Sequence, residues 1–216
     1  MLSFAEEIYL LALDDVTGKI VIPSKDIVLN NVLIGAVLAE LAFLDKLDND
    51  QEKIFILNTD PTGNPLLDDI LKAISAGTTK ELTIYHALKL LIPKAKDIEN
   101  DVLENLIKKG ILKQVDEKIL WIFPRRRYPI INNVEIKDVE TRIREIVLSD
   151  IIPSPRDAVL FSLVNTCDLF SEILSPRELR RCEDRIEKLS KMDLVEQEVA
   201  EMINQINAFR TMPPYI

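Results

Sequence analysis

Glycine is scarce: the chain has five in 216 residues, none adjacent to another. A loop that cradles phosphate with backbone amides needs clustered glycines, so nucleotide-binding loops of that kind are excluded. There is one histidine, His86, and there are two cysteines, Cys167 and Cys182. These cannot supply a zinc site of usual spacing. No Gly-x-Ser-x-Gly elbow occurs, so no nucleophilic serine of that type is supported. Two thiols in helical contexts suit a reducing compartment and small buried side chains better than a disulfide. Long apolar runs are missing too. The longest, Val32 to Leu44, is interrupted by Glu40 and is too short to cross a bilayer. The N-terminus opens into an amphipathic helix without the pattern of a signal peptide. Positive charge is in deficit, with 27 Lys and Arg against 36 Asp and Glu, a formal net charge of −9. Attraction of the whole molecule to nucleic acid or an anionic membrane is therefore not expected. Such binding must come from a local patch acting within a Debye length of about 8 Å.

The carboxylate pairs Asp14/Asp15 and Asp68/Asp69 sit at turns or helix starts, where backbone amides favour acids. His86 lies within a helical stretch beside Tyr85 and reads as structural. Neither enzymatic activity, nor a metal, nor a cofactor is expected.

What is present is mostly helical periodicity. Ser3-Phe-Ala-Glu6 forms a capping box opening a helix to about Leu13. Asp14 to Gly18 is turn chemistry, and Lys19 to Ile22 reads as a short strand. A long helix begins at Pro23 to Asp26. Its broad apolar face, Ile27 through Leu44, predicts a central position. Glu52 to Leu57 reads as a strand, and Asp60-Pro-Thr-Gly63 as a turn. Helices follow at Leu66–Ala76, with Gly77 as C-cap, at Thr79–Leu91, and at Lys96–Lys109 before Gly110. Beyond Asn133 the chain reads as helices over Val134–Leu148, Arg156–Ile173, Arg177–Lys191 and Asp193–Phe209. Ser154-Pro155 and Ser175-Pro176 each look like an N-cap followed by an N1 proline. The expectation is a mainly α, compact single domain over residues 1–216, with a central helix surrounded by helices and short β-hairpins, one of them protruding.

Between Glu117 and Ile131 the composition changes. Val115 to Phe123 reads as a strand that Pro124 terminates, and Tyr128 to Ile131 as its return. Arg125, Arg126 and Arg127 would then occupy the turn, flanked by Trp121, Phe123 and Tyr128. Arginine with aromatic residues suits anionic surfaces. A basic turn can equally be a solvated one. Three functional readings stand. A winged helix would place the arginines on DNA phosphates, but the candidate recognition helix carries Asp97, Glu99, Asp101 and Glu104, so nucleic acid is not expected. An anionic membrane needs only one protruding contact, each Arg contributing about 1 kcal/mol. A protein interface, including self-association through the hairpin, also fits apolar strands.

The ordered set Leu2-Ser-Phe-Ala-Glu-Glu-Ile-Tyr-Leu-Leu-Ala-Leu-Asp-Asp15, Leu38-Ala-Glu-Leu-Ala42, Asp60-Pro-Thr-Gly-Asn-Pro-Leu-Leu-Asp68 and Lys109-Gly-Ile-Leu112, with the hairpin beyond, resembles the Golgi phosphoprotein 3 family. The resemblance covers nearly the whole chain. It implies a peripheral membrane protein that binds phosphatidylinositol 4-phosphate, with the hairpin Lys118 to Ile131 in membrane contact and self-association. Eukaryotic members act as Golgi adaptors that retain glycosylation enzymes. Lacking their long polar N-terminal arm, this chain resembles a minimal or prokaryotic relative.

The family pocket has a tryptophan and an arginine near the start of the long helix, and two arginines a turn apart on a later one. These align with Lys25, Ile34, Lys96 and Glu99. Lys25 and Lys96 retain a positive charge; lysine lacks the planar fork of arginine, and Glu99 repels phosphate. The expected site is Arg125, Arg126, Arg127, Lys25 and Lys96 at lipid headgroups, with Trp121, Phe123 and Tyr128 at the membrane interface. The expected setting is cytoplasmic and peripherally membrane-associated, on a phosphoinositide or another anionic lipid.

Overall fold

The structure is a computed structural model that describes residues 1–14, 17–22, 25–50, 53–76, 81–119 and 123–191. The expected helix over Asp193–Phe209 and the Gly77 cap lie outside them. Helix α1 (Phe4–Leu11) starts as the capping box requires. Ser3 Oγ accepts from the Glu6 amide at 3.3 Å, and Glu6 Oε2 accepts from the Ser3 amide at 2.7 Å. Every residue of α1 is buried. Helix α2 (Lys25–Phe43) is apolar nearly all round, because it is packed nearly all round. Leu33, Ile34, Ala36, Leu38, Ala39 and Leu41 are fully enclosed by neighbours that include α1, α3 (Pro65–Ser75), α5 (Ala95–Lys108) and α7 (Pro155–Thr166). The central helix is thus as expected.

A three-stranded antiparallel sheet, β1 (Leu47–Asn49), β2 (Lys53–Ile56) and β3 (Glu81–Thr83), covers one end of the core. Only β2 was expected. The helix expected from Thr79 begins instead at Ile84, as α4 (Ile84–Leu91). Leu82 pairs with Ile54 of β2 and is buried, so pairing outweighs local helical preference. Thr83 then caps α4 by accepting from the His86 amide. A 3-10 turn (Ile92–Lys94) joins α4 to α5. Lys19 to Ile22 contributes only an isolated bridge, Leu13 to Ile20, rather than a strand.

Helices α6 (Val134–Leu148), α7, α8 (Phe170–Ile173) and α9 (Pro176–Lys191) complete the described chain. One helix was expected over Arg156–Ile173. It is interrupted after Thr166, where Asp168 adopts a left-handed φ of 58° that ends the helical ladder. Cys167 and Cys182 are buried thiols. Among the described residues, no helix is long and apolar enough to cross a membrane.

The packed helices are cross-tied by charge. Glu7 of α1 is 2 % exposed and meets Arg142 of α6 and Arg156 of α7, the latter at 3.5 Å. Arg142 also donates to Asp157 at 2.6 Å. Arg156 donates to the Leu2 carbonyl at 2.7 Å, pairs with Glu40 of α2 at 3.2 Å and lies 4.1 Å over the Phe4 ring. Burial raises the Glu7 pKa above the usual carboxylate range, while Arg142 and Arg156 pull it back. Two residues further along α6, Arg144 binds Glu178 of α9 at 2.6 Å. Arg144 and the Ser175 amide and hydroxyl hold the Glu178 carboxyl down at about 2.

Arg142→Ala strands a buried carboxylate and is expected to cost about 3–5 kcal/mol. Adding Glu7→Gln should return part of that loss, as read by urea unfolding. For Glu178 the folded pKa lies below the unfolded value, so its contribution is full above the ordinary carboxylate range and disappears as pH falls through about 2. The melting temperature of Glu178→Gln should therefore lie below that of the parent at neutral pH, and the gap should close near pH 2.

Candidate anionic-surface site

The hairpin is built on a glycine. Gly18 has a φ of +60°, and a Cβ there would stand 2.6 Å from both the Tyr128 carbonyl carbon and the Pro129 nitrogen. The bare backbone lets the turn at the end of α1 lie directly beneath the hairpin base. The Tyr128 amide donates to the Gly18 carbonyl at 3.4 Å. A bridge between Leu112 and Ile130, and bonds from the Lys113 amide to Pro129 and from the Ile131 amide to Ile111, close the base. Above it, β4 (Val115–Ile119) and β5 (Phe123–Arg127) form a separate two-stranded sheet whose contacts are chiefly internal. The protruding hairpin expected from the sequence is present.

Its register differs from the expected one. Arg125, Arg126 and Arg127 belong to the returning strand, not to the turn, and pair with Glu117, Asp116 and Val115. Phe123 opens β5 opposite Ile119, and Pro124 stands opposite Lys118. A two-stranded ribbon leaves each strand one open edge, where a proline nitrogen forfeits no ladder bond, so Pro124 did not end the strand as expected. Two of the three arginines therefore face acids across the strand, and opposite charges at such positions favour pairing. Trp121 lies outside the described residues.

Next to the hairpin base a polar chain runs into the body. Tyr128 packs against the core. The Tyr9 hydroxyl donates to Glu99 Oε1 at 3.3 Å, and Lys96 Nζ donates to Glu99 Oε2 at 2.6 Å. Burial first, then the Glu99 carboxylate, pushes the Tyr9 phenol far above its ordinary pKa, so it remains a donor. Lys96 is largely exposed, and Glu99 largely buried. Ile34 is sealed in the core and offers no group to a ligand. Lys25 opens α2, and its side chain lies outside the described ones. The structure thus joins Lys96 to Tyr9 of α1 through Glu99. The Lys96–Glu99 pair was legible as an i,i+3 spacing, but nothing in the sequence marked Tyr9 as its partner.

Other candidates are structural. Asp68 Oδ1 accepts from both the amide and the hydroxyl of Thr62, each at 2.7 Å, which holds its pKa below the usual range. Asp14 accepts from the Thr17 amide in its turn. The His86 ring is exposed and 3.0 Å from the Thr83 hydroxyl. A cleft of about 500 Å3 between the starts of α6 and α7 contains Arg142 and Arg156, but both are engaged by Glu7 and its neighbours. It offers an anion little.

With this geometry in hand, the comparison with known families is decisive for kinship. The family described as Golgi phosphoprotein 3 (GPP34) matches residues 4–206. The chain belongs to this family. The matched residues span the central helix, the Gly18 turn, the hairpin strands and α6 to α9.

Gly18→Ala should loosen the hairpin base. The left-handed conformation alone costs about 1–2 kcal/mol, and the contact with Tyr128 and Pro129 adds to it. Amide exchange at Tyr128 and Ile131 should accelerate while exchange in α2 is unchanged.

Proposed function

We propose that this protein is a non-enzymatic peripheral membrane protein, acting at a cytoplasmic face, that binds anionic phospholipid headgroups through its basic, aromatic hairpin and the adjoining Lys96 corner. The observation that supports the reading most is the β4–β5 ribbon. It stands apart from the helical body, carries Arg125, Arg126 and Arg127 on one strand, and belongs to a chain of the Golgi phosphoprotein 3 family. Phe123, Trp121 and Tyr128 supply aromatic character for the headgroup level. By resemblance the lipid is phosphatidylinositol 4-phosphate. This chain favours a looser preference for negative charge. Ile34 is buried where the family arginine falls, and Glu99 already neutralises Lys96. Lys25 retains a cation at the start of α2.

A second reading has its own support. Each strand of the two-stranded hairpin has one unpaired edge, which suits addition of a strand from another copy. It predicts self-association that rises with protein concentration and is indifferent to lipid.

Co-sedimentation with neutral vesicles, phosphatidylserine vesicles and charge-matched phosphatidylinositol 4-phosphate vesicles separates these readings. Equal, salt-sensitive binding to both anionic kinds is expected. A marked preference for the phosphoinositide would overturn the charge-only reading. Replacing Arg125, Arg126 and Arg127 with Ala should weaken binding by at most about 3 kcal/mol, and by less where Glu117 and Asp116 already offset the charge, and should flatten the salt dependence. Trp121 is the only tryptophan, so its emission reports the hairpin directly. Unchanged emission and sedimentation across all vesicles would sink the lipid reading.

A further inference from the structure

Arginines in the helical body mostly have internal partners. Arg142 binds Glu7, Asp138 and Asp157, and Arg156 binds Glu7, Glu40 and the Leu2 carbonyl. Arg144 holds Glu178 and the Ile173 carbonyl, and Arg185 holds Asp150 and the carbonyls of Ile146 and Ile151. Arg177, Arg180 and Arg181 on α9 differ. All are exposed, and no side chain of the three has a hydrogen-bond or ion-pair partner among the described residues. Their direction is set by packing. Leu179, Cys182, Ile186 and Leu189 turn inward against the core, so helical phase sends the arginines, a turn apart, to solvent. The start of α9 is fixed as well. Ser175 Oγ accepts from the Glu178 amide at 3.3 Å, the Ser175 amide donates to Glu178 Oε2 at 2.9 Å, and Arg144 ties the same carboxylate to α6.

This position is unfavourable for the helix itself. Arg177 lies in the first turn of α9, where the helix dipole is positive and a cation is destabilising. Glu183 and Asp184 stand one turn beyond Arg180 but form no ion pair with the arginines. The dipole and the guanidinium groups therefore add to one local positive field on a chain of net charge −9. That field is short. Glu172 is exposed before it, and Glu183, Asp184 and Glu187 are exposed after it. A bilayer or a nucleic acid extends past these acids and meets repulsion, whereas a short acidic segment fits between them. Spacing points the same way. Arg177 and Arg181 are about 6 Å apart along the helix axis. Side chains on alternate residues of an extended chain are about 6.6 Å apart. Two carboxylates in an acid-x-acid pattern thus meet one arginine each, and the planar fork of arginine holds a carboxylate through two parallel bonds.

We infer that the outward face of α9, through Arg177, Arg180 and Arg181, is a docking surface for a short acidic segment of another protein, bound through carboxylates on alternate residues. The surface does not depend on the hairpin or on the lipid reading. Each arginine contributes a factor of up to about five in binding, the range of an exposed ion pair. The contribution fades at high salt.

The test follows the arginine Nε signals of the full chain by NMR. The probes are a synthetic peptide of alternating glutamate and serine and its glutamine counterpart. The expected result is saturable shifts at Arg177, Arg180 and Arg181 with the glutamate peptide alone, and none at Arg142 and Arg156, which are engaged internally. Arg181→Gln should weaken binding about twofold to fivefold. Arg177→Gln should melt at or above the temperature of the parent, because a first-turn cation is removed. Shifts absent from α9, or equal with the glutamine peptide, overturn the docking surface. A lower melting temperature for Arg177→Gln overturns it too, since that arginine then supports the fold. Inorganic phosphate that shifts the same signals at equal concentration overturns the acid-x-acid match in favour of simple anion adhesion. A stronger response to a short DNA duplex or to phosphatidylserine vesicles overturns it in favour of that partner.

Discussion

The buried carboxylate of Glu7 is the constraint around which this structure is arranged. A carboxylate that is 2 % exposed is tolerated only with close counter-charges. Arg142 and Arg156 supply them, and each is committed elsewhere as well, to Asp157, to Glu40 and to the Leu2 carbonyl. The network ties α1, α2, α6 and α7 into one geometry. Apolar packing alone would tolerate small rotations of these helices; directional bonds at Glu7 do not. The orientation of α1 is thereby set, and with it the turn at Gly18 and the Tyr9 hydroxyl.

From α1 outward, the functional face follows. Gly18 receives the hairpin base because no side chain stands in the way. Tyr9 reaches Glu99 and so ties the Lys96 ion pair to α1. Charge is segregated on a small scale. The molecule as a whole is acidic, while Lys89 and Lys96 are exposed where α4 turns into α5. Glu99 holds Lys96 in an ion pair at the start of α5.

Much of the architecture could be read from residue order. The Ser3 and Glu6 box, the prolines after Ser154 and Ser175, and the broad apolar face of α2 rest on local geometry, and each is found as expected. The misreadings share one cause. Leu82 and Thr83 were read as helix because β2, their partner, lies 28 residues upstream (Ile54 to Leu82) and leaves no local signal. The hairpin register was misplaced because proline was taken to end a strand, whereas an open edge of a two-stranded ribbon accommodates it. The break after Thr166 depends on a left-handed Asp168, a conformation that aspartate adopts only when surroundings require it.

Composition and periodicity therefore settled the class of fold, the central helix and the existence of a basic hairpin, since these depend on residue types and spacings along one segment. Folding settled which strand carries the arginines, that Glu117 and Asp116 oppose two of them, that Glu99 belongs to Tyr9 and Lys96, and that Leu90 and Ile92 face outward beside lysine. Each of these is a relation between segments distant in sequence, or between a helix and the neighbour that determines its buried side. Pairing energies of that kind are fixed by proximity in space, which no local pattern encodes.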